Sequence, residues 1–212
     1  MLPPYLGQLN DARQQVFKKL ASFSKDYVLA GGTAIMLQIG HRESYDFDCF
    51  SAKPFSENFT RKVIKIFNGA IKTNETDEVI TFLTKDDVEM TFVTYPYKIL
   101  RQVIKTNSLP LFHLDDLAAN KAYTIGRRGQ WRDYIDIFFL LKQNLYDIQS
   151  LISLTNQKYQ GEFNEKLFLG QLAYFDDVKI VPVKFLKDNY SDNEVKTYLQ
   201  KEVEKYTRSI LE

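Results

Sequence analysis

Tyr27-Val28-Leu29-Ala30-Gly31-Gly32-Thr33-Ala34-Ile35-Met36-Leu37-Gln38-Ile39-Gly40 leads through His41-Arg42-Glu43-Ser44-Tyr45 into Asp46-Phe47-Asp48-Cys49-Phe50. The apolar run Tyr27 to Ala30 reads as a short buried strand. Gly31-Gly32 reads as its turn, and Thr33 to Ile39 as a helix that Gly40 closes. Asp46 to Phe50 alternates polar and apolar residues with the period of a strand, so Asp46 and Asp48 share one face while Phe47 and Cys49 share the other. Two carboxylates so close repel unless water or a divalent cation lies between them, and strands usually exclude Asp. A glycine pair at the start of a helix lets an anion approach unpaired N–H groups at the positive end of the helix dipole. Taken singly, the glycines also fit a tight turn without a ligand, and the aspartates fit a solvated edge strand. Between the two elements, Arg42 is suited to a bidentate contact with a phosphate or with one of the nearby aspartates, and Ser44 to a hydrogen bond with a phosphate oxygen.

Outward from this stretch, Asn10 or Asp11 starts a first helix with Val16, Leu20 and Phe23 on one stripe. After Phe50 the pattern gives a helix capped by Ser56 and running to about Phe67. Strands follow near Gly69 to Thr73, Val79 to Thr84 and Val88 to Thr94, with Lys85-Asp86-Asp87 as the last turn. In Val88-Glu89-Met90-Thr91-Phe92, Glu89 and Thr91 oppose the apolar positions. Glu89 is thus the candidate for a third carboxylate, and an exposed strand glutamate is the plain alternative.

Beyond Tyr95-Pro96-Tyr97 the pattern turns helical. One helix starts at Asp115 or Asp116 and reaches about Arg127, and another runs from Trp131 to about Lys142. Two more lie around Phe163 to Phe175 and from Ser191 or Asp192 onward. Asp133 and Asp136, three apart, share a helix face beside Arg132, and Lys121 projects from the preceding helix. This group either handles phosphate charge or forms a salt-bridge set holding two helices together. Lys98, Arg101, Lys105, Arg127 and Arg128 can form a basic rim for RNA, or a solvated surface. The expectation is an α+β fold with an α/β lobe over residues 1–105 and a helical lobe over 106–212.

The composition narrows the class. With 212 residues, 44% hydrophobic and 14% aromatic, the chain can bury a sizeable core. Its 28 basic and 27 acidic residues nearly cancel, so net charge points to no polyanionic partner. A single cysteine, Cys49, excludes an internal disulfide and reads as a small buried hydrophobe. No apolar run approaches the roughly 20 residues of a spanning helix, and Met1-Leu2-Pro3-Pro4-Tyr5 lacks a signal-peptide pattern. A cytoplasmic protein without membrane contact is expected.

As a set, Gly31-Gly32-Thr33-Ala34-Ile35, Gly40 through Phe50, Lys121 and Arg132-Asp133-Tyr134-Ile135-Asp136 resemble the AbiEii/AbiGii nucleotidyltransferase toxins of abortive-infection and toxin-antitoxin systems. The similarity continues to Leu172-Ala173-Tyr174-Phe175-Asp176-Asp177. The resemblance implies a polymerase-β-like nucleotidyltransferase lobe, with the helical lobe completing the nucleotide cleft. It also implies Mg²⁺-dependent transfer of NMP from an NTP, possible substrates being GTP or a pyrimidine NTP, to an RNA or tRNA acceptor, and a winged-helix antitoxin as partner. Metal ligation then falls to Asp46 and Asp48, with Glu89 as a third candidate. Nucleotide binding falls to Gly31, Gly32, Thr33, Arg42, Ser44, Lys121, Arg132 and Asp133, and catalysis to Asp46, Asp48, Lys121 and Asp136. Two alternatives remain open: a nucleotide-binding or interaction protein of this fold without transfer, and transfer to a small molecule.

Overall fold

The computed structural model describes residues 5–127 and 129–211, so the first residues of the N-terminal pattern and Arg128 of the basic rim lie outside the described residues. The chain forms two compact units, one of Met1–Tyr97 with Arg101–His113 and one of Lys98–Leu100 with Leu114–Glu212. The first holds a mixed sheet flanked by helices and the second is built from helices, an α+β architecture.

In the first unit, α1 (Asp11–Leu20) begins where the Asn10 side chain accepts a hydrogen bond from the Arg13 N–H at 3.0 Å. β1 (Val28–Ala30) leads directly into α2 (Gly31–Ile39), then come β2 (Phe47–Ser51), α3 (Phe59–Ile66), β3 (Ile71–Glu75), β4 (Val79–Leu83) and β5 (Glu89–Thr94). The sheet order is β1-β2-β5-β4-β3, with β2 and β5 parallel and the other neighbours antiparallel. β2 pairs Phe47 with Met90, Asp48 with Thr91 and Cys49 with Phe92. Because facing residues in register point to the same side, Phe47, Cys49, Met90 and Phe92 form one apolar face. An aromatic cluster covers it: Phe92 meets Phe23 at 5.2 Å, Tyr27 at 5.2 Å and Phe59 at 5.0 Å between ring centroids. Each such pair adds about 0.5–1.5 kcal/mol beyond area burial. A slip of one residue in β2 would bury the aspartates under these rings, so the aromatic face locks the register that turns Asp48 the other way.

Several local expectations shift. The helix after β1 starts at Gly31, not Thr33, so the glycines are its first turn rather than a separate connection. Gly31 adopts φ +66° and Gly40, at the other end, φ +61° with its N–H bonded to Met36 O. Ser56 does not cap α3. That helix starts at Phe59 behind Asn58, which makes no side-chain cap, while Phe59 N–H bonds the Ser56 carbonyl in a preceding turn. β2 and β3 lie one and two residues later than the alternation indicates.

The second unit contains α4 (Leu114–Ile125), α5 (Trp131–Lys142), α6 (Ile148–Tyr159), α7 (Glu165–Ala173) and α8 (Asp192–Ser209). α5 has the expected bounds, and every residue from Asp133 to Leu141 on it is buried. A helix buried all round is the centre of its unit. α6, for which the periodicity predicts no individual helix, starts at a capping box in which Asp147 accepts from Ser150 N–H at 2.7 Å and Ser150 Oγ accepts from Asp147 N–H. Ser150, first through its side chain and then through its backbone N–H, holds the Asp147 carboxyl below its ordinary pKa. Among the described residues no helix is long and apolar enough to cross a membrane.

Candidate active site

The first unit gathers its candidate residues where α2 begins and β2 begins. Asp48 faces Ala30 across the β1–β2 pair, one residue before the helix opens. Its carboxylate lies so close to Gly31 that a Cβ there would sit 1.8 Å from Asp48 Oδ2. At Gly32 an added Cβ would sit 2.6 Å from Arg42 Nη2 and 3.0 Å from Ser44 Oγ. The glycines therefore make room for protein groups. Gly31 admits the Asp48 carboxylate, and Gly32 admits a guanidinium that is 3% exposed and bonded through Nη1 to the Glu43 carbonyl at 3.0 Å. Ala30 supplies no side-chain cap to the first turn of α2, whose positive dipole end lies at Gly31.

Gly31→Ala is thus expected to do two things. A left-handed conformation disfavours Ala by about 1–2 kcal/mol, and the methyl group must evict the Asp48 carboxylate. Thermal melts should show the first effect. If the second is absent, and the variant retains wild-type transfer activity, then Asp48 does not need the slot.

Phe47 pairs with Met90, which places Asp46 beside Glu89 by one further step of the register. Glu89 is exposed at the start of β5. Its carboxyl is pushed above the usual value, first by partial burial and then by the charge of Asp46. The structure thus brings Asp46, Asp48 and Glu89 to one side of the sheet. Among the described residues no group of three or more His, Cys, Asp or Glu side chains stands close enough to cage an ion. Mg²⁺ needs no such cage, since it characteristically takes one or two carboxylates and completes its shell with water and substrate phosphates. The Asp46/Asp48 pair fits that mode. The repulsion at Glu89 also has a thermodynamic signature. A carboxyl whose folded pKa is raised stabilises the fold least once pH exceeds that raised value, because the folded state binds the proton more tightly than the unfolded chain. In chelator, Glu89→Gln should therefore melt at the wild-type temperature near about pH 4 and above it near about pH 8. Equal melting temperatures across the range would remove the repulsion from the account.

Cys49, fully buried on the opposite side, has its thiol pushed well up by burial and then by Asp48, and is not an available nucleophile.

The second unit assembles Lys121, Asp133 and Asp136. Lys121 Nζ lies 2.6 Å from Asp133 Oδ1 and 2.7 Å from Asp136 Oδ2. The cause is local: α5 is buried on every side, so two carboxylates on it require a cation, and α4 supplies one. Arg132, next along α5, is exposed.

A second buried pair is not anticipated from the sequence. Asp116 on α4 and Lys158 on α6 meet at 2.5 Å with both side chains fully buried, and Asp116 Oδ1 also accepts the Leu100 N–H at 2.9 Å. Burial pushes Lys158 below its ordinary pKa, and the Asp116 carboxylate partly restores it. The signal that could have found it is Lys158 falling on the stripe of Leu151, Thr155 and Tyr159, where a solvated lysine does not belong.

A strand thus opens into a glycine-led helix, and the next strand of the mixed sheet carries Asp48 with Asp46 just before it; solved structures that share this fold include nucleotidyltransferases. The structure is similar over 100% of this chain and 99% of the other to a putative nucleotidyltransferase from H. pylori, with TM-score 0.56 and 19% identity. It is similar over 91% of this chain and 81% of the other to MenT4, nucleotidyltransferase toxin Rv2826c from Mycobacterium tuberculosis H37Rv, with TM-score 0.61 and 14% identity. In sequence it is 29% identical over 208 residues to the uncharacterized protein aq_aa25 of Aquifex aeolicus (strain VF5), covering 95% of this chain and 98% of that protein. The family model described as nucleotidyl transferase AbiEii toxin, type IV TA system, matches residues 16–107 and 86–211. The chain belongs to the AbiEii nucleotidyltransferase toxin family, and it is an enzyme of that class.

Proposed function

We propose that this protein transfers an NMP from an NTP to a hydroxyl of an RNA acceptor, with tRNA the leading substrate, in a Mg²⁺-dependent reaction that makes it the toxin of a toxin-antitoxin pair. The observation that carries the proposal is the meeting of the Asp48 carboxylate with the open first turn of α2 at Gly31. It sets a cation-binding group beside an anion-binding helix end, the pairing that a metal-bound triphosphate needs.

Asp46 and Asp48 are the residues to hold Mg²⁺, with Glu89 next to them. Bound there, the ion offsets charge on the attacking and leaving oxygens. The backbone N–H groups of Gly31, Gly32 and Thr33 are assigned to the triphosphate, and Arg42, seated over Gly32 with Ser44 Oγ beside it, adds a buried cation to the same turn. Lys121, held by Asp133 and Asp136, is the ammonium assigned to phosphate charge, with Asp136 fixing its direction and Arg132 offering a solvent-facing contact. Catalysis is then mainly positioning and charge neutralisation. Residues 1–105 and 106–212 are assigned as a nucleotidyltransferase lobe and a helical lobe, and a winged-helix antitoxin is the assigned partner.

Incubation of the wild-type protein with cellular RNA and Mg²⁺ should label the RNA from α-³²P NTP and leave it unlabelled from γ-³²P NTP. Label arriving from the γ-position would mean phosphoryl transfer and overturn the proposal, as would unlabelled RNA with all four NTPs.

A further inference from the structure

The hydroxyl of Thr33 lies 2.5 Å from the carbonyl oxygen of Asp46 and 3.0 Å from Ser44 Oγ, and Thr33 is 1% exposed. A carbonyl oxygen can only accept, so the single Thr33 proton goes to Asp46. The contact with Ser44 must then run the other way, with Ser44 O–H donating to Thr33 Oγ1. The result is a directed chain, from Ser44 through Thr33 to the backbone of Asp46, that fastens the first turn of α2 to the start of β2. The Thr33 proton is already used, and its side chain is buried. A hydroxyl in this state cannot donate to a phosphate without releasing the peptide that carries Asp46.

We infer that Thr33 is a positioning residue for the Asp46/Asp48 carboxylate pair, acting through the Asp46 carbonyl, and is not a side-chain ligand of the triphosphate. The inference rests on the assignment of that pair to a divalent cation under the proposed function. Its physical basis is stiffness. Asp46 is the residue just before β2, at the edge of the paired segment that carries Asp48. The bond from Thr33 ties the Asp46 peptide to the first turn of α2. Gly31, two residues earlier on the same turn, accommodates the Asp48 carboxylate. One turn of helix thereby sets both carboxylates, one through a hydrogen bond and one through steric room. Loss of a partner that orients a metal ligand typically lowers metal affinity about 10–100-fold.

The test is direct Mn²⁺ binding, followed by electron paramagnetic resonance on the nucleotide-free protein, with Asp48→Ala as the control that removes the site. Wild type should bind Mn²⁺, Thr33→Ser should bind nearly as well, and Thr33→Val should bind about tenfold more weakly or worse. Thr33→Ala, which keeps a strong helix former in α2, should match Thr33→Val and serves if the valine variant does not fold. Wild-type Mn²⁺ affinity in both Val and Ala variants would overturn the inference. If that result came with a tenfold loss of NTP affinity in chelator, Thr33 would be a phosphate ligand instead. Absence of Mn²⁺ binding in wild type, or binding unchanged in Asp48→Ala, would overturn the carboxylate-pair assignment itself and this inference with it.

Discussion

Asp48→Asn should lower nucleotidyl transfer by about 10²–10³-fold, the loss typical of removing one group that stabilises transition-state charge. The substitution keeps the shape of the side chain, so the amide still fits the slot at Gly31, and the Asp48–Thr91 register is untouched. What disappears is a negative charge. Without it, one of the two carboxylates assigned to the cation is gone, and the helix end at Gly31 loses the anion nearest to it. Since that anion is also a stabilising partner of the helix dipole, the variant should lose only about 0.3–1 kcal/mol of stability. Transfer rate and melting temperature, measured on the same preparation, check the two halves together. Near-wild-type transfer by a folded Asp48→Asn protein would remove Asp48 from the chemistry, whatever its contact with Gly31.

The largest effect on stability is expected far from those groups, at Asp116→Ala. Both members of the Asp116–Lys158 pair are fully buried, and removing one leaves a charge without compensation, a loss of about 3–5 kcal/mol. The deficit should depend on pH in a defined direction. Burial already draws Lys158 below its ordinary pKa, and without the carboxylate nothing opposes that pull. The unfolded chain then holds a proton that the folded one has lost. Stability should rise with pH between the lowered folded value and the unfolded lysine value of about 10.4. Urea unfolding of Asp116→Ala should therefore show a deficit that narrows above about pH 9. The double variant Asp116→Leu/Lys158→Met should recover most of the loss, because a buried pair replaced by apolar groups is frequently neutral or better. It should still fall short by about 1–3 kcal/mol, since the Leu100 N–H loses its acceptor. A deficit in Asp116→Ala that is constant with pH would show that Lys158 is relieved by some route other than its charge.

The two pairs differ in what they do with a lysine. Lys158 is fully buried with one carboxylate, and its pair ties α4, α6 and the Leu100 backbone together. Lys121 has two carboxylates, and its side chain is 10% exposed. An ammonium held by two carboxylates has a fixed direction, which suits a group assigned to phosphate. The first pair is a structural element and the second a functional candidate, although in each a lysine meets aspartate from another helix.

Much of the placement of the candidate residues is legible in the residue pattern. Alternation in Asp46 to Phe50 places the aspartates on one face, and helical spacing places Asp133 and Asp136 on another. The sequence also yields α5 with its observed bounds, because Gly129 interrupts the chain just before Trp131 and the segment to Lys142 carries no further breaker. Other features depend on partners remote in sequence. Nothing in Gly31-Gly32 says that one glycine makes room for Asp48 and the other for Arg42 and Ser44, since both contacts arise only when β2 lies beside β1. Ser56 has the residue type by which caps are recognised, while the backbone starts its helix three residues later.

By itself, the sequence determined the period of each element and the kinds of group each face carries, because those follow from local backbone geometry and side-chain chemistry. Only the tertiary structure decided which groups meet. It set Asp48 against Gly31, turned the Thr33 hydroxyl to the Asp46 backbone, and matched Lys121 with Asp133 and Asp136 and Lys158 with Asp116. The physical reason is that burying apolar surface selects the packing, and the charged groups on the buried helices must then find partners within it or the packing fails.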